Sequence, residues 1–244
     1  MQKIILLAVL VSVSVSADVI SVHCPTGCPE NPERNTLVFG HLYALSNNPT
    51  TKFADWVAYE VDVVNFGVSP GRVWHSDPLL AESATLQPND YKGANKALKA
   101  DRGHQAPLAS FAGSRHWSEL NVLSNITPQH KNLNQGAWVA LESAVRAAVG
   151  FRKPLFVITG PIYQESDEPP QRLPNADESH TIPTGYFKIV YTLTGHAATF
   201  VMQQTAARAD DYCTKLTTIS SVESLIAFEL PPLTDSNSIA KRLQ

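Results

Sequence analysis

The sequence predicts an α+β fold in a single domain, and three observations carry that prediction. Strand-like and helix-like stretches do not alternate regularly, which argues against a doubly wound α/β sheet. No internal repeat, low-complexity tract or long linker divides the 244 residues, a length that suits one medium domain. A chain that is 43% hydrophobic and 17% charged is ordinary for a globular protein with a sizeable core.

The N-terminus reads as a signal peptide covering residues 1–17, with the folded domain at 18–244. Lys3 gives a positive start, Ile4 to Val11 is an unbroken apolar run, and Val15-Ser16-Ala17 offers small residues for cleavage after Ala17. The run is too short to span a bilayer. The expectation is a secreted or periplasmic protein with no membrane partner. Removing one Lys and no acid leaves 19 − 1 = 18 basic and 22 acidic residues, a net charge of −4. Tight nucleic-acid binders are usually basic. That balance leaves room for an enzyme that releases its substrate, and for a local basic cleft.

Cys24 and Cys28 lie among Pro25, Gly27 and Pro29 and are expected to form a small disulfide loop. Their spacing lacks the second Cys or His pair of a zinc site. Cys213 is left over, as a buried thiol or as half of an intermolecular bridge.

Leu37 to Leu45 and Trp56 to Val64 alternate and are rich in β-branched and aromatic residues, so they read as strands joined by a polar turn from Ser46 to Lys52. Ser69-Pro70-Gly71 is a second turn, and Asp101 to Gly113 reads as an irregular loop. Trp138, Leu141, Val145 and Ala148 have helical spacing, which predicts a helix from Asn134 to Val149 ended by Gly150. Pro154 to Ile162 is a buried strand candidate, and Tyr186–Leu193 and Thr199–Gln203 a strand pair. Ser220 to Glu223 fits a capping box before Leu225, Ile226 and Phe228, with Pro231 and Pro232 stopping that helix.

The spacing of the glycines excludes the dinucleotide fingerprint and the phosphate loop. No His is followed by Glu, so the metalloprotease helix is absent, and no carboxylate cluster suits a two-metal nuclease. The segment from Asp101 to Glu142 does gather reactive groups. His104, beside Arg102 and Gly103, suits general-base work at neutral pH. Asn134 offers either an N-cap or a hard amide oxygen for Mg²⁺. Glu142, eight residues on, lies roughly 80° round a continuous helix, so both can serve one site.

This segment closely resembles the DNA/RNA non-specific endonucleases of the ββα-metal (His-Me finger) superfamily. The matching stretches are Asp101 to Ser110, Leu123 to Gln129, Leu133 to Trp138, Thr159-Gly160-Pro161 and His180 to Pro183. Arg72-Val73-Trp74 with Asp77-Pro78 looks like the upstream arginine segment of the family. The likeness runs from Cys24 to about Cys213. It implies a central, mostly antiparallel sheet flanked by helices, with a ββα-metal element at the active site.

The resemblance also implies roles. His104 is the general base, Asn134 the one direct protein ligand of Mg²⁺ (with Mn²⁺ able to stand in), and Glu142 holds the ion through water. Arg72 faces the charge developing on the phosphoryl group. Arg102, Asn125 and Arg146 support the catalytic site. Arg72, Arg102, Arg146 and Gln129 are expected toward substrate, while Asn121 matches without a definite task. The implied substrates are DNA and RNA, single- or double-stranded, cut to 5′-phosphate ends by a monomer or homodimer. A catalytically silent nucleic-acid binder and a small-molecule phosphodiesterase are the alternatives. In one respect the chain departs from the pattern. Such proteins often pair the cysteine at the position of Cys213 with one near the C-terminus, and no cysteine follows Cys213 here. The departure bears on the stability of the last helix and not on the active-site segment. Asn125-Ile126-Thr127 also matches a glycosylation acceptor, incidentally to its place in the motif.

Overall fold

The computed structural model describes residues 19–164 and 171–244; the expected signal peptide lies outside the described residues. The first strands are β1 (Thr36–Phe39), β2 (Ala44–Asn48) and β3 (Phe53–Val61). The apolar run from Leu37 is therefore two strands rather than one, because the chain reverses at Gly40, whose N–H donates to the Tyr43 carbonyl. Ser46, Asn47 and Asn48 belong to β2, not to the expected turn. All three are buried with partners from other segments: Asn48 donates to the Asp55 carboxylate at 3.0 Å, Asn47 to the Ala84 carbonyl at 3.0 Å and Ser46 to Asn31 Oδ1 at 2.6 Å.

Helix α1 (Ala94–Leu98) then leads into β4 (Ala100–His104), which pairs antiparallel with β5 (Ile126–His130) as a separate two-stranded ribbon. This corrects the loop expected from Asp101: its polar sequence is strand because β5 supplies partners from Ala100↔His130 to His104↔Ile126. The ribbon is tied to the main sheet at Pro128, whose carbonyl accepts from the Tyr186 hydroxyl at 3.0 Å and from Gln204 Nε2 at 2.8 Å.

After β5 come α2 (Lys131–Leu133), a wide π-type turn at Asn134–Trp138, and α3 (Val139–Ala148). The predicted helix from Asn134 is thus interrupted: Gly136 sits at φ −118°, ψ −117°, outside helical values. Asn134 is not an N-cap; His130 caps the preceding turn instead.

The sheet continues with β6 (Leu155–Ile162), β7 (Gly185–Tyr191) and β8 (His196–Gln203), close to the sequence expectation. Short strands β9 (Leu216–Thr217) and β10 (Thr234–Asp235) flank helix α4 (Ile219–Glu223), and α5 (Asn237–Arg242) closes the described chain. The α4 cap is Thr218, whose Oγ1 accepts from Ser221 N, so this helix begins and ends before the stretch expected to contain it.

The eight-stranded sheet runs β1-β2-β3-β6-β7-β8-β10, with β9 also on β8; every pairing is antiparallel except β8 with β10. Both faces are covered, which is why β6 reads as one apolar run. The two-residue period sends Val57, Tyr59, Val157, Tyr186 and Val190 to one core, with Trp138, Leu141 and Val145 from the helical side. Trp56, Ala58, Ile158, Phe187 and Ile189 go to the other, beneath Ile219 and Phe228. Cys24 and Cys28 form the expected disulfide, while Cys213 is free and half-buried. Helix α5 is held without a bridge: Ile239, Ala240 and Leu243 are buried, and the Arg242 guanidinium donates to the carbonyl of Ala148 at the end of α3.

Candidate nuclease site

Strand β4 delivers His104 to the floor of a cleft of about 650 Å³, which is also lined by Arg72, Arg102, Asn134 and Glu142. The expected base, amide, carboxylate and two of the expected arginines are therefore brought together. A larger hollow of about 970 Å³, near Arg34, Asp55 and Tyr163, gathers none of them.

Asn125 fixes the chain beyond His104. Its side chain is fully buried, accepts from Ala106 N at 2.8 Å and donates to the carbonyls of Ala106 and Leu120. That burial leaves no acceptor site for a glycan. Asn121, for which the sequence suggested no task, accepts at Oδ1 from His104 Nε2, 3.1 Å away. In the neutral ring this selects the tautomer whose Nδ1 carries the free lone pair. Burial pushes His104 down to a pKa of about 4; the Asn121 contact opposes that shift and the nearby positive charge of Arg72 adds to it. The ring is a free base throughout the neutral range.

Arg102 lies between two aromatic rings, 5.5 Å from the Trp74 centroid and 5.3 Å from Tyr91, and donates to the Pro88 carbonyl. Its stacking fixes a planar donor at the cleft wall. Arg72 is exposed. Gln129 and Arg146 do not line the cleft. Gln129 is 1% exposed and packs against Gly103, where an added Cβ would come within 2.6 Å of it. That burial sets it behind the wall and corrects the expected contact with substrate. Arg146 bonds Ser143 Oγ at 2.8 Å, and its charge acts on Glu142 from one turn away.

Asp101 organises the amide. Its carboxylate accepts from Asn134 Nδ2 at 3.0 Å, from Gln135 Nε2 at 2.7 Å and from Asn95 Nδ2 at 3.0 Å. With Nδ2 so engaged, Asn134 keeps Oδ1 as the donor atom it can offer a cation. Gln135 in turn accepts from Arg208, 2.8 Å away. Because the helix breaks at Gly136, the angle expected between Asn134 and Glu142 on a continuous helix does not apply; the two still line the same cleft.

Glu142 stands in the first turn of α3, with its side chain 11% exposed. Burial raises its carboxyl, against the pull of Lys188 and Arg146. Lys188 Nζ lies 3.9 Å from Glu142, 3.1 Å from the Tyr59 hydroxyl and 4.4 Å from the centroid of the Trp138 ring. One neutral amide oxygen and one desolvated carboxylate suit a hard, well-hydrated divalent cation such as Mg²⁺. Tyr91, Lys188 and Arg208 were missed in the sequence, and Asp101, the first residue of the matched motif, was given no role there. A lysine inside the apolar run Tyr186–Val190 was a usable signal for Lys188; nothing local marked Arg208.

Gly136 supports this arrangement through close approach. A Cβ there would lie 2.5 Å from the Arg208 carbonyl oxygen. Gly136→Ala is expected to cost roughly 1–3 kcal/mol, as overpacking does. It should also weaken divalent-cation binding, because Asn134 and the Arg208 loop must shift. Thermal melts and cation titration of the variant check this; unchanged values for both would refute the close-approach argument.

A nuclease of ββα architecture is what this ribbon, helix and cleft define. The family model described as DNA/RNA non-specific endonuclease matches residues 21–235. Among curated relatives, the Nuclease of Serratia marcescens is 40% identical over 230 residues, covering 91% of this chain and 85% of that protein. The mitochondrial Endonuclease G of Bos taurus is 27% identical over 157 residues, covering 61% of this chain and 51% of its own length. A crystal structure of the EndoG/EndoGI complex, which concerns EndoG inhibition, shares the fold with a TM-score of 0.71 at 20% identity, covering 86% of this chain and 92% of that one. The protein belongs to the DNA/RNA non-specific endonuclease family.

Proposed function

We propose that this protein is an exported, Mg²⁺-dependent endonuclease that hydrolyses DNA and RNA, single- or double-stranded, to 5′-phosphate ends. The observation that carries the reading is the convergence of His104, Asn134, Glu142 and Arg72 on one cleft. The N-terminal apolar run and the Cys24–Cys28 bridge support export to an oxidising compartment.

His104 takes a proton from the attacking water at Nδ1 while Asn121 holds Nε2–H. Asn134, through Oδ1, and Glu142 would hold the cation. Mg²⁺, when bound, supplies positive charge to the phosphate and its leaving oxygen. Arg72 adds charge-assisted hydrogen bonds to that phosphate, and Arg102 fixes an adjacent part of the backbone. Asn125, Gln129 and Arg146 position these groups from behind the wall. Since water is the nucleophile, no ribose 2′-hydroxyl is needed, and contacts aimed at phosphate give little sequence preference.

The test is incubation of residues 18–244 with supercoiled plasmid and with structured RNA, in Mg²⁺ and in EDTA. Both substrates are expected to be degraded in Mg²⁺ and to survive in EDTA. Intact substrates with a retained gel shift would instead indicate a binder. Cleavage of a small diester but not of plasmid would indicate a small-molecule phosphodiesterase.

A further inference from the structure

Outside the cleft, among the described residues, a cluster of metal-binding side chains is drawn together by the β1–β2 turn and the 3-10 helix Trp117–Asn121. His41 follows Gly40 in the β1–β2 turn, while His116 and Glu119 lie in the segment leading to Asn121. One ligand atom from each lies within 4.8 Å of the other two, and none of the three residues lines the cleft. We propose that His41, His116 and Glu119 bind one divalent transition-metal ion of the Zn²⁺ class, separate from the ion of the catalytic cleft.

Glu119 is the fixed member. Its Oε2 accepts from the backbone N–H of His41 at 2.9 Å, and its carbonyl accepts from the Tyr43 hydroxyl at 3.0 Å. These bonds leave Oε1 2.5 Å from His41 Nδ1 and 3.6 Å from His116 Nδ1. Ligands of a tetrahedral ion held at ~2.0–2.1 Å are about 3.3 Å apart, and the two distances bracket that value. Two imidazole nitrogens and one carboxylate favour Zn²⁺, Ni²⁺ or Cu²⁺ over Mg²⁺, which prefers oxygen.

The rings are stacked, with centroids 3.7 Å apart and planes 7° from parallel. Both lone pairs cannot point at one ion in that pose, so one ring must turn. The His41 side chain is 63% exposed and free to do so about χ2. Arg115 opposes binding: its Nε–H donates to His116 Nε2 at 2.9 Å. A ring ligating through Nδ1 carries its proton on Nε2, so the exposed Arg115 must swing away. The site would tie the β1–β2 turn to the segment whose Asn121 orients His104 and whose Asn125 fixes the chain beyond it.

The measurement is calorimetric titration of Zn²⁺ into the untagged, EDTA-stripped full chain, with excess Mg²⁺ present to occupy the cleft. One Zn²⁺ per chain is expected, with a rise in the thermal midpoint. His41→Ala and His116→Ala should each weaken binding by at least about tenfold, the scale on which even outer partners of a metal ligand act. Arg115→Ala should tighten it. With Co²⁺ as the probe, a visible absorption band should appear and be lost in both histidine variants. No Zn²⁺ uptake beyond the cleft, or uptake unchanged in His41→Ala and His116→Ala, would overturn the proposal. A failure of the nuclease reading would leave this result untouched, because no readout uses activity.

Discussion

His104→Ala is expected to lower kcat on both plasmid and RNA by about 10²–10⁴-fold, the usual contribution of a positioned general base. Thermal stability should change little by comparison, because the ring has one side-chain hydrogen bond, to Asn121, and partial cover from Trp74. The pH profile adds a second readout. With its pKa near 4, His104 stays a free base through neutral pH, so kcat/KM should show no ordinary histidine step near ~6.5; the raised Glu142 carboxyl takes up its proton before His104 and sets the acid limb. Stability follows the His104 ring with a definite sign. As pH falls, the unfolded chain takes up this proton first, near ~6.5, and the folded chain only near 4. The stabilisation from the neutral folded ring is therefore complete above that unfolded value and is lost between the two. Wild-type and variant melts across this window should differ in slope, the variant being flatter. Wild-type rates in His104→Ala would mean that another group is the base.

The strands that face two cores were legible because their apolar runs are long. Leu155–Ile162 and Gly185–Tyr191 are covered on both faces, and no polar alternation confuses the signal. The ribbon was not legible by the same logic. Asp101, Arg102 and His104 carry polar side chains to a cleft, so β4 looks like a loop until β5 is seen to pair with it. Ser46, Asn47 and Asn48 misled for a related reason: buried polar side chains whose partners come from other segments, the Asp55 carboxylate for Asn48 and the Ala84 carbonyl for Asn47, cannot be distinguished from turn residues by type.

For the cleft, resemblance supplied the residues, and geometry supplied what holds them. Periodicity cannot foresee that Gly136 breaks the helix against the Arg208 carbonyl, because the cause is more than 70 residues away. Nor can it show that Asp101 takes the Nδ2 of Asn134. A carboxylate beside a motif histidine has no periodic signature, and its role rests on an antiparallel register and a kinked turn that local sequence does not specify.

The pair Glu142 and Lys188 separates stability from catalysis most sharply. Strand periodicity puts Lys188 on the face of Tyr186 and Val190, under α3, so its ammonium is buried against Glu142, Tyr59 and the Trp138 ring. Burial lowers its pKa to about 8, even though the Glu142 charge acts to raise it. Breaking such a buried pair from one side typically costs about 3–5 kcal/mol, because it strands the other charge. Lys188→Met should therefore lower the thermal midpoint by on the order of 10 °C in a domain of this size. It should also weaken Mg²⁺ binding, since a Glu142 left without its nearest cation is more easily protonated. Glu142→Gln should lower kcat by about 10²-fold or more, as loss of one preorganised electrostatic group does. The double variant Lys188→Met/Glu142→Gln removes both charges and should recover most of the lost stability while remaining as slow as Glu142→Gln. Melts and single-turnover rates of the four proteins form one thermodynamic cycle. Additive losses of stability would show that the two charges are not coupled. Recovery of activity together with stability would show that Glu142 serves the fold rather than the cation.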